Sequence, residues 1–176
     1  MYFGLVYYPQ IDHEGFKSFR QKYEPYARLL PEHVPFVHPV PESIGRELLE
    51  RHIENVLSKW EPFKVHFCTL EITWDHWMYL GLSKGYEEIV TLHDQLYSGP
   101  LREYLRTDLE FEPHVGLGFF GNRAYDPLDP EQVEFDSEAY EHARREVAEI
   151  GIDAERRVER LTIVRLNTGL DTLEDV

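Results

Sequence analysis

Apolar residues along the chain switch between a two-residue and a three-to-four-residue spacing, the pattern of strands interleaved with helices. Tyr2-Phe3-Gly4-Leu5-Val6-Tyr7-Tyr8 is aromatic and β-branched up to Pro9 and predicts a buried strand. Phe16, Phe19 and Tyr23 then mark one stripe of a helix, which Pro25 and Pro31 close. The run from His33 to Val40 predicts the next strand. Ser43 is the expected N-cap of a helix with Ile44, Leu48, Ile53, Val56, Leu57 and Trp60 on its apolar face. Beyond Pro62, the residues Phe63, Val65 and Phe67 alternate with polar neighbours, whereas Cys68, Leu70 and Ile72 continue on the opposite parity. That switch predicts either a β-bulge near Phe67 to Thr69 or a strand covered on both faces.

After Trp74-Asp75-His76, the segment Trp77 to Leu82 predicts a strand. A helix follows Gly85, marked by Ile89, Leu92, Leu96 and Tyr97 and stopped by Gly99-Pro100, with one more turn at Leu101 to Leu105. The apolar run after His114 predicts a strand, and Pro127 to Pro130 a loop. Asp136 or Ser137 caps a helix that turns Ala139, Tyr140, Ala143, Val147 and Ile150 inward before Gly151. Arg157 to Leu166 is expected as the final strand, and 169–176 as an acidic, frayed tail. The elements thus run β-α-β-α-β to about Thr73 and β-α-β-α-β again from about His76. This order predicts an α+β fold in a single domain, 1–168, with lobe one about 1–74 and lobe two about 75–168 around a central cleft. Each half has a histidine-bearing strand in its middle, and a pseudo-twofold between the halves sets His33 opposite His114.

Charge narrows the partners. The 176 residues carry 33 acidic against 18 basic side chains, a formal net charge of −15, which repels polyphosphate backbones. Long nucleic acid is therefore not an expected partner, and a nucleotide-like substrate is expected to be small or a strand end. No apolar run reaches the roughly 18 residues of a membrane span, and Met1 to Val6 has neither a basic leader nor a small-residue cleavage site. The expected location is cytoplasmic. The single cysteine, Cys68, reads as a buried structural thiol.

The candidate chemistry lies in two histidines. Both His33 in Pro31-Glu32-His33-Val34-Pro35-Phe36 and His114 in Pro113-His114-Val115-Gly116-Leu117 follow a proline and open a β-branched or aromatic run. Alternation along a strand puts His33, Pro35 and Val37 on one face, and His114 and Gly116 on one face. An imidazole, with an unperturbed pKa of about 6.5, can act as base or as acid near neutrality. Two of them in equivalent places suit acid-base chemistry at one phosphorus, and either could be the acid.

These paired segments, about 80 residues apart in matching half-repeats, resemble the 2H phosphoesterase superfamily, and within it the 2′-5′ RNA ligase-like and cyclic phosphodiesterase group. The family motif is His, hydrophobic, Thr or Ser, hydrophobic, occurring twice. The resemblance implies a bilobal fold, His33 and His114 as catalytic residues, and no metal or cofactor. It further implies action on a cyclic phosphate or a 2′-5′ phosphodiester of a small nucleotide or RNA end. The chain departs from the motif at both hydroxyl positions, which are Pro35 and Gly116. Proline offers neither a hydroxyl nor an N–H, while glycine allows close approach to the backbone. The alternative is thus a catalytically impaired protein of the same fold that binds a small phosphorylated ligand or a protein partner.

Arg123, after the second motif strand, is a further candidate phosphate contact, with a solvated loop position as its alternative. His38 falls on the other side of a regular strand from His33. His66, His76 and His93 lack the helical spacing of a zinc protease and are not expected to bind metal. Trp74, Trp77 and Tyr79 could stack a base, though core packing suits at least two of them better.

Overall fold

The computed structural model describes residues 1–108, 110–122 and 133–167, and the backbone of 172–175. In chain order the elements are β1 (Tyr2–Tyr7), α1 (Glu14–Tyr23), β2 (Val34–Pro41), α2 (Arg46–Leu57), β3 (Phe63–Ile72), β4 (Trp77–Lys84), α3 (Tyr86–Leu96), β5 (Val115–Phe119), α4 (Ser137–Ile150), β6 (Ala154–Val158), β7 (Thr162–Leu166) and β8 (Thr172–Asp175). The strands form two four-stranded antiparallel sheets, ordered β2-β1-β7-β8 and β5-β4-β3-β6. This is the α+β architecture that the alternation of elements predicts. The motif strands β2 and β5 are each in the middle of a half by chain order, yet each lies at the edge of its sheet.

Side-chain parity explains the layers. On β4, Met78, Leu80 and Leu82 face a main core that also takes Phe16, Phe19, Phe36, Phe67, Ile89 and Leu92. On β1, Phe3, Leu5 and Tyr7 join the same core. The parity switch in β3 is a bulge: Phe67 pairs with Leu82 but Thr69 with Gly81, leaving Cys68 as the extra residue. Cys68 is consequently half-buried, not fully buried, and its Sγ donates to Ser83 Oγ at 3.2 Å.

Three boundaries and one helix face differ from expectation. Ser43 does not cap α2; it lies in a 3₁₀ turn, Glu42–Ile44, and Gly45 at φ +81° precedes the helix without a side-chain cap. The buried face of α2 is Leu49, Ile53 and Val56, so Leu48 is left 45% exposed. The expected last strand is two strands, because Ala154–Val158 pairs with β3 while Thr162–Leu166 pairs with β1. The charged Glu159-Arg160 step lies at the crossing between the sheets. Finally, Thr172–Asp175 pairs with β7 as a short edge strand where fraying was expected. Asp136, the first of two proposed caps, does accept from Ala139 N at 2.9 Å, and Gly151 ends α4 at φ +62°.

Helices cross between the halves. The first-half helix α1 packs on β5, and the second-half helix α3 packs on β2. Each motif strand is thereby clasped by a helix from the other half of the chain.

Candidate active site

His33 and His114 each stand one residue before an edge strand, and both are fixed by the same local bond. His33 Nδ1 lies 2.9 Å from the Pro31 carbonyl, and His114 Nδ1 lies 2.6 Å from the Glu112 carbonyl. A carbonyl can only accept, so each Nδ1 carries the proton and each neutral ring presents a bare Nε2. Burial lowers both pKa values below the ordinary imidazole value. Arg20 and His114 lower that of His33 further, whereas Glu112, Asp75 and Glu71 partly offset the effect at His114. Each imidazole nevertheless retains accessible surface.

The residues two beyond each histidine differ in kind. Pro35 pairs with Val6 across β1–β2 and lines a cavity of about 200 Å³ together with His33 and Val37. Gly116 pairs with Tyr79, and a Cβ added there meets nothing within 4 Å. The expected shared face holds for His114 and Gly116, whereas in β2 the register shift between Leu5 and Val6 turns Val37 with Leu5 toward the main core, so that of the two only Pro35 keeps the face of His33. Tyr79 lies against His114, with ring centroids 4.6 Å apart, and its hydroxyl donates to Glu71 at 3.0 Å. Burial and then Glu71 push the Tyr79 pKa up, so it remains a neutral donor near neutral pH.

Support comes from residues that motif reading passes over. Arg20, on α1 and 6% exposed, donates through Nε to the Gly116 carbonyl at 2.9 Å. Its other nitrogens face Glu24 at 3.0 Å and Glu32 at 3.8 Å, and Glu32 Oε1 accepts from Ile11 N at 3.1 Å. One guanidinium thus joins the second motif strand to the residue before His33. On the opposite side, His93 of α3 donates through Nδ1 to the Phe36 carbonyl at 3.0 Å and stacks on Phe111 at 3.6 Å. The available signal for Arg20 was its place four residues after Phe16, a charge on the apolar stripe of a helix.

Among the remaining histidines, His38 lines the same cavity as His33, and burial with His93, Arg106 and His114 nearby lowers its pKa to about 4. It was expected on the other side of the strand; the register shifts in β1–β2 account for the difference. His66 faces Asp153 and Ser83, and His76 donates to the Val133 carbonyl at 2.9 Å. Trp74 is 71% exposed, whereas Trp77 packs on Phe119 and Tyr79 is buried. Arg123 lies outside the described residues.

Residues 8–169 match the sequence profile of the 2′-5′ RNA ligase superfamily. The chain belongs to this superfamily. Its fold is similar to that of E. coli LigT in a crystal structure complexed with 3′-AMP, with a TM-score of 0.51, 13% identity, and 99% of this chain and 96% of that one covered. A crystal structure described as a phosphoesterase is similar to the same extent, with a TM-score of 0.53, 13% identity and the same coverage. No curated protein matches the sequence. Among the described residues of this 2′-5′ RNA ligase superfamily member, no helix is long and apolar enough to cross a membrane.

Proposed function

We propose that this protein is a metal-independent phosphoesterase in which His33 and His114 act as the acid-base pair on a cyclic phosphate or 2′-5′ phosphodiester of a small nucleotide or RNA end. The observation that carries the reading is the repeated Nδ1–H bond to the carbonyl two residues upstream. It fixes the tautomer and aims a bare Nε2 from each half of a duplicated scaffold. One imidazole takes the proton of the attacking water while the other, protonated, gives its proton to the leaving oxygen. The net charge of −15 supports a small substrate over a long strand.

The loss of both motif hydroxyls favours a second reading, a ligand-binding protein of the same fold. A hydrogen bond to a charged group contributes about 1.5–3 kcal/mol, so two missing ones weaken the hold on a phosphate substantially. Turnover of a 2′,3′-cyclic nucleotide in the presence of EDTA separates the two. The enzyme reading expects measurable turnover, abolished in His33→Ala and in His114→Ala. Binding without turnover in any folded variant supports the second reading instead.

A further inference from the structure

The two sheets present unlike surfaces beside the histidines. On the second sheet the face away from the main core carries Tyr79, Gly81 and Ser83 of β4, with Thr69 and Glu71 of β3. It is polar from Tyr79 outward, where Tyr79 bonds Glu71 near His114 and His66 Nδ1 lies 2.8 Å from Ser83 Oγ, while at its other end Trp77 packs on Phe119. On the first sheet the corresponding face is apolar. Val6, Val164 and Leu166 form a cluster of their own, apart from the main core, with Tyr2 and Tyr8 against it. The cavity of about 200 Å³ lies on this side and reaches His33 and Pro35.

His33 forms part of the cavity wall. Among the described lining residues, only His33, His38 and Tyr8 have polar side chains. A sugar or the edge of a nucleobase there leaves hydrogen-bonding groups unpaired, a cost that an alkyl or aryl group does not incur. We propose that the cleft takes a phosphodiester of two unlike alcohols, with an apolar alkyl or aryl group in the cavity beside His33 and a hydroxyl-bearing group along the polar face beside His114. The proposal rests on the phosphoesterase reading of the two histidines and goes beyond the nucleotide substrates named there, because one of the two alcohols is apolar. In hydrolysis the water oxygen bonds to phosphorus and its proton passes to one imidazole. The P–O bond to the apolar alcohol breaks, and the other imidazole's proton goes to the leaving oxygen.

The test follows the His33 and His114 ring resonances by NMR while the full chain is titrated with inorganic phosphate, methyl phosphate, ribose 5-phosphate and phenyl phosphate. Phenyl phosphate is expected to bind at least about tenfold more tightly than methyl phosphate. Val6→Phe, whose ring occupies the cavity, is expected to remove that preference. Should Val6→Phe fail to fold by circular dichroism, Val164→Thr keeps nearly the same shape, places a hydroxyl on the wall and must lower the ratio. A ratio near one, or an undiminished preference in the folded variants, overturns the apolar subsite and leaves the phosphate site standing. If none of the four phosphates moves either resonance, the phosphoesterase reading fails, and the subsite with it.

Discussion

Replacing Arg20 with methionine keeps the aliphatic stem but removes the guanidinium that joins α1 to Glu24, Glu32 and the Gly116 carbonyl. Arg20 and Glu24 are 6% and 8% exposed, so the carboxylate left behind cannot be solvated by water in place of its partner. Breaking such a buried pair costs about 3–5 kcal/mol, although the intact pair contributes far less because its own desolvation opposes it. Arg20→Met/Glu24→Gln is therefore expected to recover much of the loss. Burial already raises the Glu24 pKa, and loss of Arg20 raises it further. A carboxyl that holds its proton more tightly in the folded state gains stability as the pH falls, so the cost of Arg20→Met is largest near neutrality and shrinks on acidification. Urea unfolding of wild type, single and double variants at about pH 7 and about pH 5 measures this directly. A single-variant cost below about 1 kcal/mol, or one that does not change with pH, would refute the argument.

Gly116 has no positive φ and an added Cβ meets open space, so Gly116→Thr should keep its unfolding free energy to within about 1 kcal/mol and raise turnover of a cyclic nucleotide. Loss of turnover in a folded Gly116→Thr variant would mean that the glycine itself is needed for close approach. Because burial lowers the pKa of both His33 and His114, both limbs of the kcat/KM profile should move to the acid side of about 6.5; an optimum well above neutrality contradicts this assignment. The unfolded chain binds the His38 proton at higher pH than the folded one, whose value is about 4. The stability involved is fully present above about pH 6.5, is lost as the pH falls toward 4, and amounts to at most about 3 kcal/mol. Thermal unfolding of His38→Phe should consequently show a flatter dependence over that window than wild type.

The period of the apolar pattern carried most of the fold. Phe16, Phe19, Ile89, Leu92 and Leu96 fall on buried helix faces, and the parity switch at Phe67 to Thr69 marked a real bulge. What a one-dimensional pattern leaves out is which sheet a strand joins. Arg157 to Leu166 reads as one strand because both its ends are strand-like, yet Val158 pairs with Phe63 and Leu166 with Tyr2, in different sheets. The matching surroundings of His33 and His114 were legible because the sequence around them repeats. Arg20 and His93 were not, because their role is to bond carbonyls in the other half of the chain, and backbone carbonyls leave no mark in a sequence.

The reciprocal helices bear on what loss of the motif hydroxyls means. Arg20 from α1 holds the Gly116 carbonyl, and His93 from α3 holds the Phe36 carbonyl, so both motif strands stay anchored by groups that do not depend on Thr or Ser at positions 35 and 116. The frame therefore requires no hydroxyl at either position. Pro35 faces Val6 in an apolar cavity, where a hydroxyl without a partner carries a desolvation cost, whereas Gly116 opens onto empty space. On the proposed reading the two departures act in opposite ways on a ligand: one supplies apolar contact on the His33 side, and the other makes room on the His114 side. Under the proposed function, walls that differ in this way let the site tell one end of a phosphodiester from the other, a discrimination that two equivalent hydroxyls alone do not supply.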